Sequence, residues 1–144
     1  MSIFNAINVG CDGLRVHAAR LDLASKNIAN IDTPNYTRKI PIISSNQDQS
    51  FATVLSSMGV GALQASGNLG GVNFDGIVED PTPGAKIYKP GHPDADENGY
   101  IRTSNTNAMV DIADATIAQR AYEASLGVMT IAKAMATSAL EIGK

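Results

Sequence analysis

The chain has 144 residues, no tryptophan and a single cysteine, Cys11. One cysteine excludes an intrachain disulfide, and its place within a helical seam makes it a small buried hydrophobe rather than a reactive thiol. Aromatics make up only 5% of the sequence, so large rings contribute little and burial must rest on Ala, Ile, Leu, Val and Met. The net charge of -3 supplies no basic field of the kind that binds nucleic acid. The pair Arg38-Lys39 reads as a solvated turn. No run approaches the ~20 apolar residues of a membrane-spanning helix, so no direct membrane insertion is expected. The N-terminus lacks a basic start followed by an apolar core, so no cleaved secretory signal is expected. His17 and His92 are the only histidines, and neither has a cysteine or second histidine near it in sequence. Phosphate-binding loops, dinucleotide fingerprints and zinc spacings are missing too. The expectation is a protein with no catalytic residues, metal or cofactor.

What remains is helical patterning at both ends. In the last third, apolar or small residues recur in steps of three and four: Ala118, Ala121, Tyr122, Ser125, Val128, Met129, Ala132, Met135, Ala136, Ala139 and Ile142. Residues so spaced share one helix face, and the repeat closes every seven residues. At ~1.5 Å per residue the segment would form a rod of roughly 50 Å. Ile117, Ala124 and Ile131 line a second face, and Leu126 and Leu140 a third. A helix apolar nearly all round must be covered nearly all round, and one partner helix covers one face. Polar Ser104 to Asn107 supply its N-cap, and Asp111 and Asp114 suit the positive end of its dipole.

Residues 3–30 predict a first long helix. Ile7, Leu14, Leu21 and Ile28 fall seven apart, each preceded by three from Phe4, Cys11, Ala18 and Ser25. This reads as an a/d seam, with Arg15, Arg20, Asp22 and Lys26 on a polar face. Gly10 and Gly13 weaken the early turns by ~1 kcal/mol each relative to Ala. Pro34 ends the helix and steers Thr33 out of helical geometry, with Asn30 able to adopt a left-handed cap. His17 lies beside the seam, on the helix surface or in packing contact.

Between the helices, Gly, Pro, Asn and Asp accumulate. Ile40, Ile42 and Ile43 suggest an extended piece. Phe51, Val54, Leu55 and Met58 sit at helical spacing, and Gly59 to Gly71 reads as a glycine-rich loop. Val72, Phe74 and Val78 predict a strand, Lys86–Lys89 and Tyr100–Thr103 two more, and Asn98-Gly99 a tight turn. Asp94-Ala95-Asp96-Glu97-Asn98-Gly99 mimics the opening of an EF-hand loop, but Asn105 stands where the bidentate Glu belongs. Pro90 and Pro93 forbid the incoming helix, which favours a polar hairpin turn. The expected fold is mainly α with a small β or irregular insertion. Its long N- and C-terminal helices would pair as an antiparallel coiled coil. The expected units are an N-terminal helix and signature (1–36), a middle insertion (37–103) and a C-terminal helix (104–144).

The stretch from Leu23 to Tyr36, with Asn27-Ile28-Ala29-Asn30 and Thr33-Pro34-Asn35-Tyr36, closely resembles the N-terminal signature of bacterial flagellar rod and hook proteins. Asn35 stands at the usual glycine, a place where a left-handed backbone is tolerated by Asn. Tyr88-Lys89-Pro90-Gly91-His92-Pro93-Asp94-Ala95-Asp96-Glu97-Asn98-Gly99-Tyr100 is similar to a segment that marks proximal-rod members of that family. Arg120-Ala121-Tyr122-Glu123-Ala124 and the ending from Ala139 to Lys144 fit as well. Ser104-Asn105-Thr106-Asn107 departs from the more usual Pro-Asn-Val-Asn.

The resemblance implies a structural subunit of the proximal rod, exported unfolded through the flagellar channel and polymerised into a drive shaft. It implies copies of itself and other rod proteins as partners, with the MS ring and export gate as further candidate neighbours. Its site in the cell would be the periplasmic rod of the basal body. The assembly interface is expected at Ile7, Leu14, Leu21, Asn27, Ile28, Asn30, Thr33, Pro34 and Tyr36 in the N-terminal part. In the last helix it is expected at Tyr122, Val128, Met129, Ala132, Met135 and Ile142. The other class the pattern admits is a coiled-coil adaptor or export substrate that does not polymerise.

Overall fold

The computed structural model describes residues 3–45 and 71–142. The expected helix around Phe51 to Met58 and nearly all of the glycine-rich loop lie outside the described residues, as do the side chains of Phe4 and Ile142. Helix α1 spans Ile3–Ala29 and helix α2 spans Ala108–Ile142. Between them come β1 (Lys39–Ser45), β2 (Val72–Glu79), β3 (Lys86–Tyr88) and β4 (Tyr100–Arg102). β1 pairs antiparallel with β2, and β3 with β4, as separate two-stranded sheets. The fold is therefore mainly helical with a small antiparallel insertion.

The helices pack against each other in opposite directions: Asn27 bonds Asp111, while a Cβ at Gly10 would stand 2.8 Å from Met129 Cγ. On α2 the face turned to α1 follows the expected stripe, with Ala118 and Ala132 buried and Ala121, Ser125, Met129 and Ala136 partly so. On α1 the face differs from the expectation. Gly10, Gly13, Val16, Leu23, Ala24 and Asn27 are the buried positions. Ile7, Leu14, Leu21 and Ile28 are only half-buried, and Ala18 and Ser25 are exposed. At ~100° per residue, the contact face is turned by about a third of a revolution from the predicted seam. The cause is close approach. Gly13 would place a Cβ 3.0 Å from Ser125 Oγ, so backbone without side chain meets the partner helix where a Leu could not fit. Cys11, too, is half-buried rather than buried.

α2 outlasts α1. Asp111, Ala118, Ser125 and Ala132 repeat every seven residues along the paired face, yet the next in that row, Ala139, is exposed. Leu140 is 74% exposed. In the insertion, β1–β2 carries a bulge: Ile42 faces Gly76 and Ile43 faces Phe74, which leaves Asp75 as the extra residue. Gly76 has φ 153, a backbone suited to glycine at such a kink. The β3–β4 hairpin stacks Tyr88 edge-on against Tyr100, ring centroids 5.2 Å apart. Gly99, at φ 76, closes it beneath these rings.

Candidate functional site: a buried polar junction

The polar centre of the molecule sits where the end of α1, the start of β1 and the first turn of α2 converge. α1 ends without the expected left-handed Asn30. Instead the last turn tightens, with Asn30 N bonded to both Lys26 O and Asn27 O at 3.2 Å. The Asn30 side chain caps Lys26 O at 2.8 Å and accepts the Thr33 hydroxyl at 3.2 Å. The left-handed residue is Asn35, at φ 59, alone in this among the described non-glycine residues. Its N–H donates to Arg102 O at 3.0 Å, tying the turn to β4. Pro34 and Asn35 thus reverse the chain so that Tyr36 and Lys39 return beside Asn27.

Asn27 is 2% exposed, and its amide makes a complete set of bonds. Nδ2 donates to Lys39 O at 2.9 Å and to Asp111 Oδ1 at 3.3 Å. Oδ1 accepts from Lys39 N at 2.9 Å and from the Tyr36 hydroxyl at 3.1 Å. Two donors and two acceptor sites are all an asparagine side chain offers, so this one residue clips β1 to α1 and both to α2.

Arg38 completes the junction, and here the solvated-turn reading of Arg38-Lys39 is wrong. The Arg38 side chain is mostly covered, and it bridges to Asp111 Oδ1 through Nε at 3.1 Å and Nη2 at 2.9 Å. Nη2 also reaches Asp114 at 3.4 Å. Asp111, more deeply buried still, sits in the first turn of α2, where the helix dipole favours an anion. Its hydrogen bond to Arg38 holds the guanidinium pKa above its ordinary value, against the opposing pull of burial. Burial, and then the Asp111 charge, raises the Tyr36 phenol. Lys39 Nζ lies 6.0 Å from the Tyr36 ring centroid, a cation over an aromatic face.

Asn105 fastens the insertion. Its Oδ1 accepts from Arg38 N at 2.6 Å, and its Nδ2 donates to Thr82 O at 2.7 Å and Asp80 O at 3.2 Å. Asn107 is the N-cap of α2, accepting from Met109 N at 3.0 Å.

Of the residues expected at the interface, Asn27, Asn30, Thr33, Pro34 and Tyr36 gather at this turn. Met129 and Ala132 lie against α1. Val128 and Met135 point away, exposed, with Tyr122 at the margin. Arg38, Asn105 and Asp111 belong to the junction, yet no apolar period marks them. A signal for Asp111 was present in its position one step before Ala118, Ser125 and Ala132 in the seven-residue row.

The EF-hand-like stretch folds as a hairpin loop. Asp96 Oδ1 accepts backbone N–H groups from Asn98 at 3.0 Å and Tyr100 at 2.8 Å. Among the described residues there is no cluster of three or more metal-ligating side chains, and no helix is long and apolar enough to cross a membrane. His17 Nδ1 is buried without a hydrogen-bond partner, and burial beside Arg20 lowers the imidazole pKa.

The chain is thus a pair of terminal helices, fastened by a polar turn, around a small β insertion. A family model described as flagella basal body rod protein matches residues 7–37. Another, for the C-terminal region of flagellar basal body rod FlgEFG proteins, matches residues 97–142. The chain is 34% identical over 155 residues to the flagellar basal-body rod protein FlgC of Bacillus subtilis, covering 100% of both. It is 32% identical over 157 residues to FlgC of Borreliella burgdorferi, covering 99% of this chain and 98% of the relative. It is 26% identical over 144 residues to FlgC of Salmonella typhimurium, again covering 100% of both. The chain belongs to the FlgC family of flagellar basal-body rod proteins.

Proposed function

We propose that this chain is a structural subunit of the flagellar rod and that it assembles by burying an outer apolar row of α2 against helices of neighbouring subunits. The observation that carries the assembly reading is the row Ile117, Ala124, Val128, Ile131 and Met135. Each of these side chains is exposed, Ile131 at 63% and Met135 at 59%. Their spacing alternates between three, four and seven, which is the seam another helix covers. The overhanging end of α2 adds uncovered apolar surface at Leu140. Contacts between subunits that do not close a ring generate a helical rod.

On this reading α1 and α2 form an antiparallel coiled coil, and residues 1–36 and 104–144 are one terminal helical unit. Residues 37–103 are the middle insertion. The partners are copies of this chain and other rod proteins, with the MS ring and export gate at the base of the shaft. The subunit reaches the periplasmic rod through the flagellar export channel, and its folding is completed by assembly. The mechanism is mechanical: torque passes through buried helix-to-helix contacts. No catalytic step is assigned to it, in keeping with a family of structural rod proteins.

The test is Ile131→Glu. The side chain touches solvent in the free chain, so expression and helix content should be unchanged. Burying a Glu where an Ile would bury ~2 kcal/mol of apolar side chain should abolish rods and motility. Normal basal bodies and swimming in that strain would overturn the proposal.

A further inference from the structure

We propose that the polar cluster of Asn27, Arg38 and Asp111 is a register lock, selecting one axial alignment of α1 against α2. The rest of their interface is poor at making that choice. On α2 the paired face repeats at seven residues as Ala118, Ser125 and Ala132, followed by Ala139. Apart from Asn27, the buried positions on α1 are Gly10, Gly13, Val16, Leu23 and Ala24, three of them glycine or alanine. Sliding α2 by one heptad would bring Ala132 opposite Gly13 in place of Ser125. A small side chain would again face a glycine. Similar residues at equivalent positions of a seven-residue repeat leave alignment weakly specified, and a single buried polar pairing is the device that fixes it.

Among the described residues that pairing exists once along the interface. Asn27 meets Asp111 at 3.3 Å, and Asp111 is held by Arg38 at 2.9 Å. In the slid alignment Asn27 would face Ala118, with no acceptor, and Asp111 would lie beyond α1. Asn27 is 2% exposed and would stay covered by α2 opposite Ala118, so water cannot replace its lost partner without opening the junction, and the Arg38–Asp111 bridge would be broken as well. Because Asn27 also clips Lys39 at 2.9 Å, the same bond set fixes where β1 leaves the helical pair. This inference concerns the chain itself and does not depend on how subunits assemble.

The test is disulfide trapping in the full-length chain with Cys11→Ser. A Cβ at Gly13 would stand 3.8 Å from Ser125 Cβ, inside the ~3.5–4.5 Å window for a disulfide. Gly13→Cys with Ser125→Cys therefore reports the observed alignment, and Gly13→Cys with Ala132→Cys reports the slid one. Products of monomer mass are scored under mild oxidation, with helix content followed by circular dichroism. With the cluster intact, the first pair should close and the second should not. With Asn27→Leu and Asp111→Leu added, the yield of the second pair should rise about tenfold or more, the scale set by losing buried hydrogen-bond partners. Asn27→Leu alone, which keeps the Arg38–Asp111 bridge, should give a smaller rise. If the slid pair forms no more disulfide in either Leu variant than with the cluster intact, while helix persists, the lock is refuted. If the Leu variants lose helix and trap neither pair, the cluster supports folding without choosing alignment, which also refutes it.

Discussion

Asn27→Ala separates two asparagines that share one short signature. Asn27 is buried and makes four side-chain bonds, to Lys39 N and O, Asp111 and Tyr36. Truncation leaves the Lys39 N–H and C=O without partners in a partly buried strand start. Each such loss costs ~1–2 kcal/mol. The Tyr36 hydroxyl is half-buried and can turn to water, and Asp111 keeps Arg38, so these two add little. The sum is about 3 kcal/mol of lost stability. Asn30→Ala removes the bonds to Lys26 O and Thr33 Oγ1 at an exposed helix end. Water replaces both, so the cost is ~0.5–1 kcal/mol.

The assay is urea unfolding of the purified chain, followed by circular dichroism at about 222 nm, where helix dominates the signal. With a slope of ~2 kcal/mol per molar urea, Asn27→Ala should lower the midpoint by ~1.5 M and Asn30→Ala by less than ~0.5 M. Equal shifts for the two variants would refute the reasoning, because it rests on burial and not on residue type.

Tyr36 carries a pH prediction. Its pKa is raised from 10.0 by burial and by Asp111, so the folded state holds the phenol proton more tightly than the unfolded chain does. The stability this represents is fully present below pH ~10 and is lost as pH rises through the folded value. Melting across pH ~9 to ~11.5 should therefore fall more steeply in wild type than in Tyr36→Phe. A Cβ added at Gly127 would meet nothing within 4 Å, whereas one added at Gly10 would strike Met129. Gly127→Ala should stabilise the free chain by ~1 kcal/mol through helix propensity. Gly10→Ile should destabilise it by ~1–3 kcal/mol through overpacking, both read by thermal melting. Hydrogen exchange of the dilute monomer should protect the amides of Lys39 and Asp111 most, and those beyond Ala136 in α2 least. Full protection at both chain ends would contradict assembly-coupled ordering.

The two helices, the short strands and the polar hairpin are legible in the sequence because each leaves a local signal: a period, a Pro-led stop, an Asn-Gly turn. The paired face of α1 is not. Its members Gly10, Gly13 and Asn27 carry no apolar weight, so a hydrophobic reading slides onto Ile7, Leu14, Leu21 and Ile28, which merely flank the contact. Close approach selects for the absence of a side chain, and absence has no hydrophobic period. The same limit hides Arg38. Whether a charge is solvated or buried depends on what arrives opposite it, and Asp111 arrives from 73 residues away. Tyr36 and Asn27 stood out by resemblance alone, and only their geometry says what they do.

The last helix raises a sharper question, since its inner and outer rows run one residue apart. Ala118 and Ala132 face α1, while Ile117 and Ile131 face outward. Neighbouring positions are rotated by ~100°, so the rows form separate seams although periodicity shows one broad stripe. The inner row is small because two backbones must approach. The outer row is large because, in the free chain, nothing limits its volume. Ala132→Glu and Ile131→Glu should therefore fail differently. Ala132 is 6% exposed, so a carboxylate there is driven into the helix pair and should cost ~3 kcal/mol or more in the isolated chain. Ile131→Glu should leave the melting midpoint of the isolated chain nearly unmoved and remove assembly. If both substitutions lower the monomer's stability equally, or neither does, the helix does not carry two seams. The outer row would then need another explanation than a neighbour's helix.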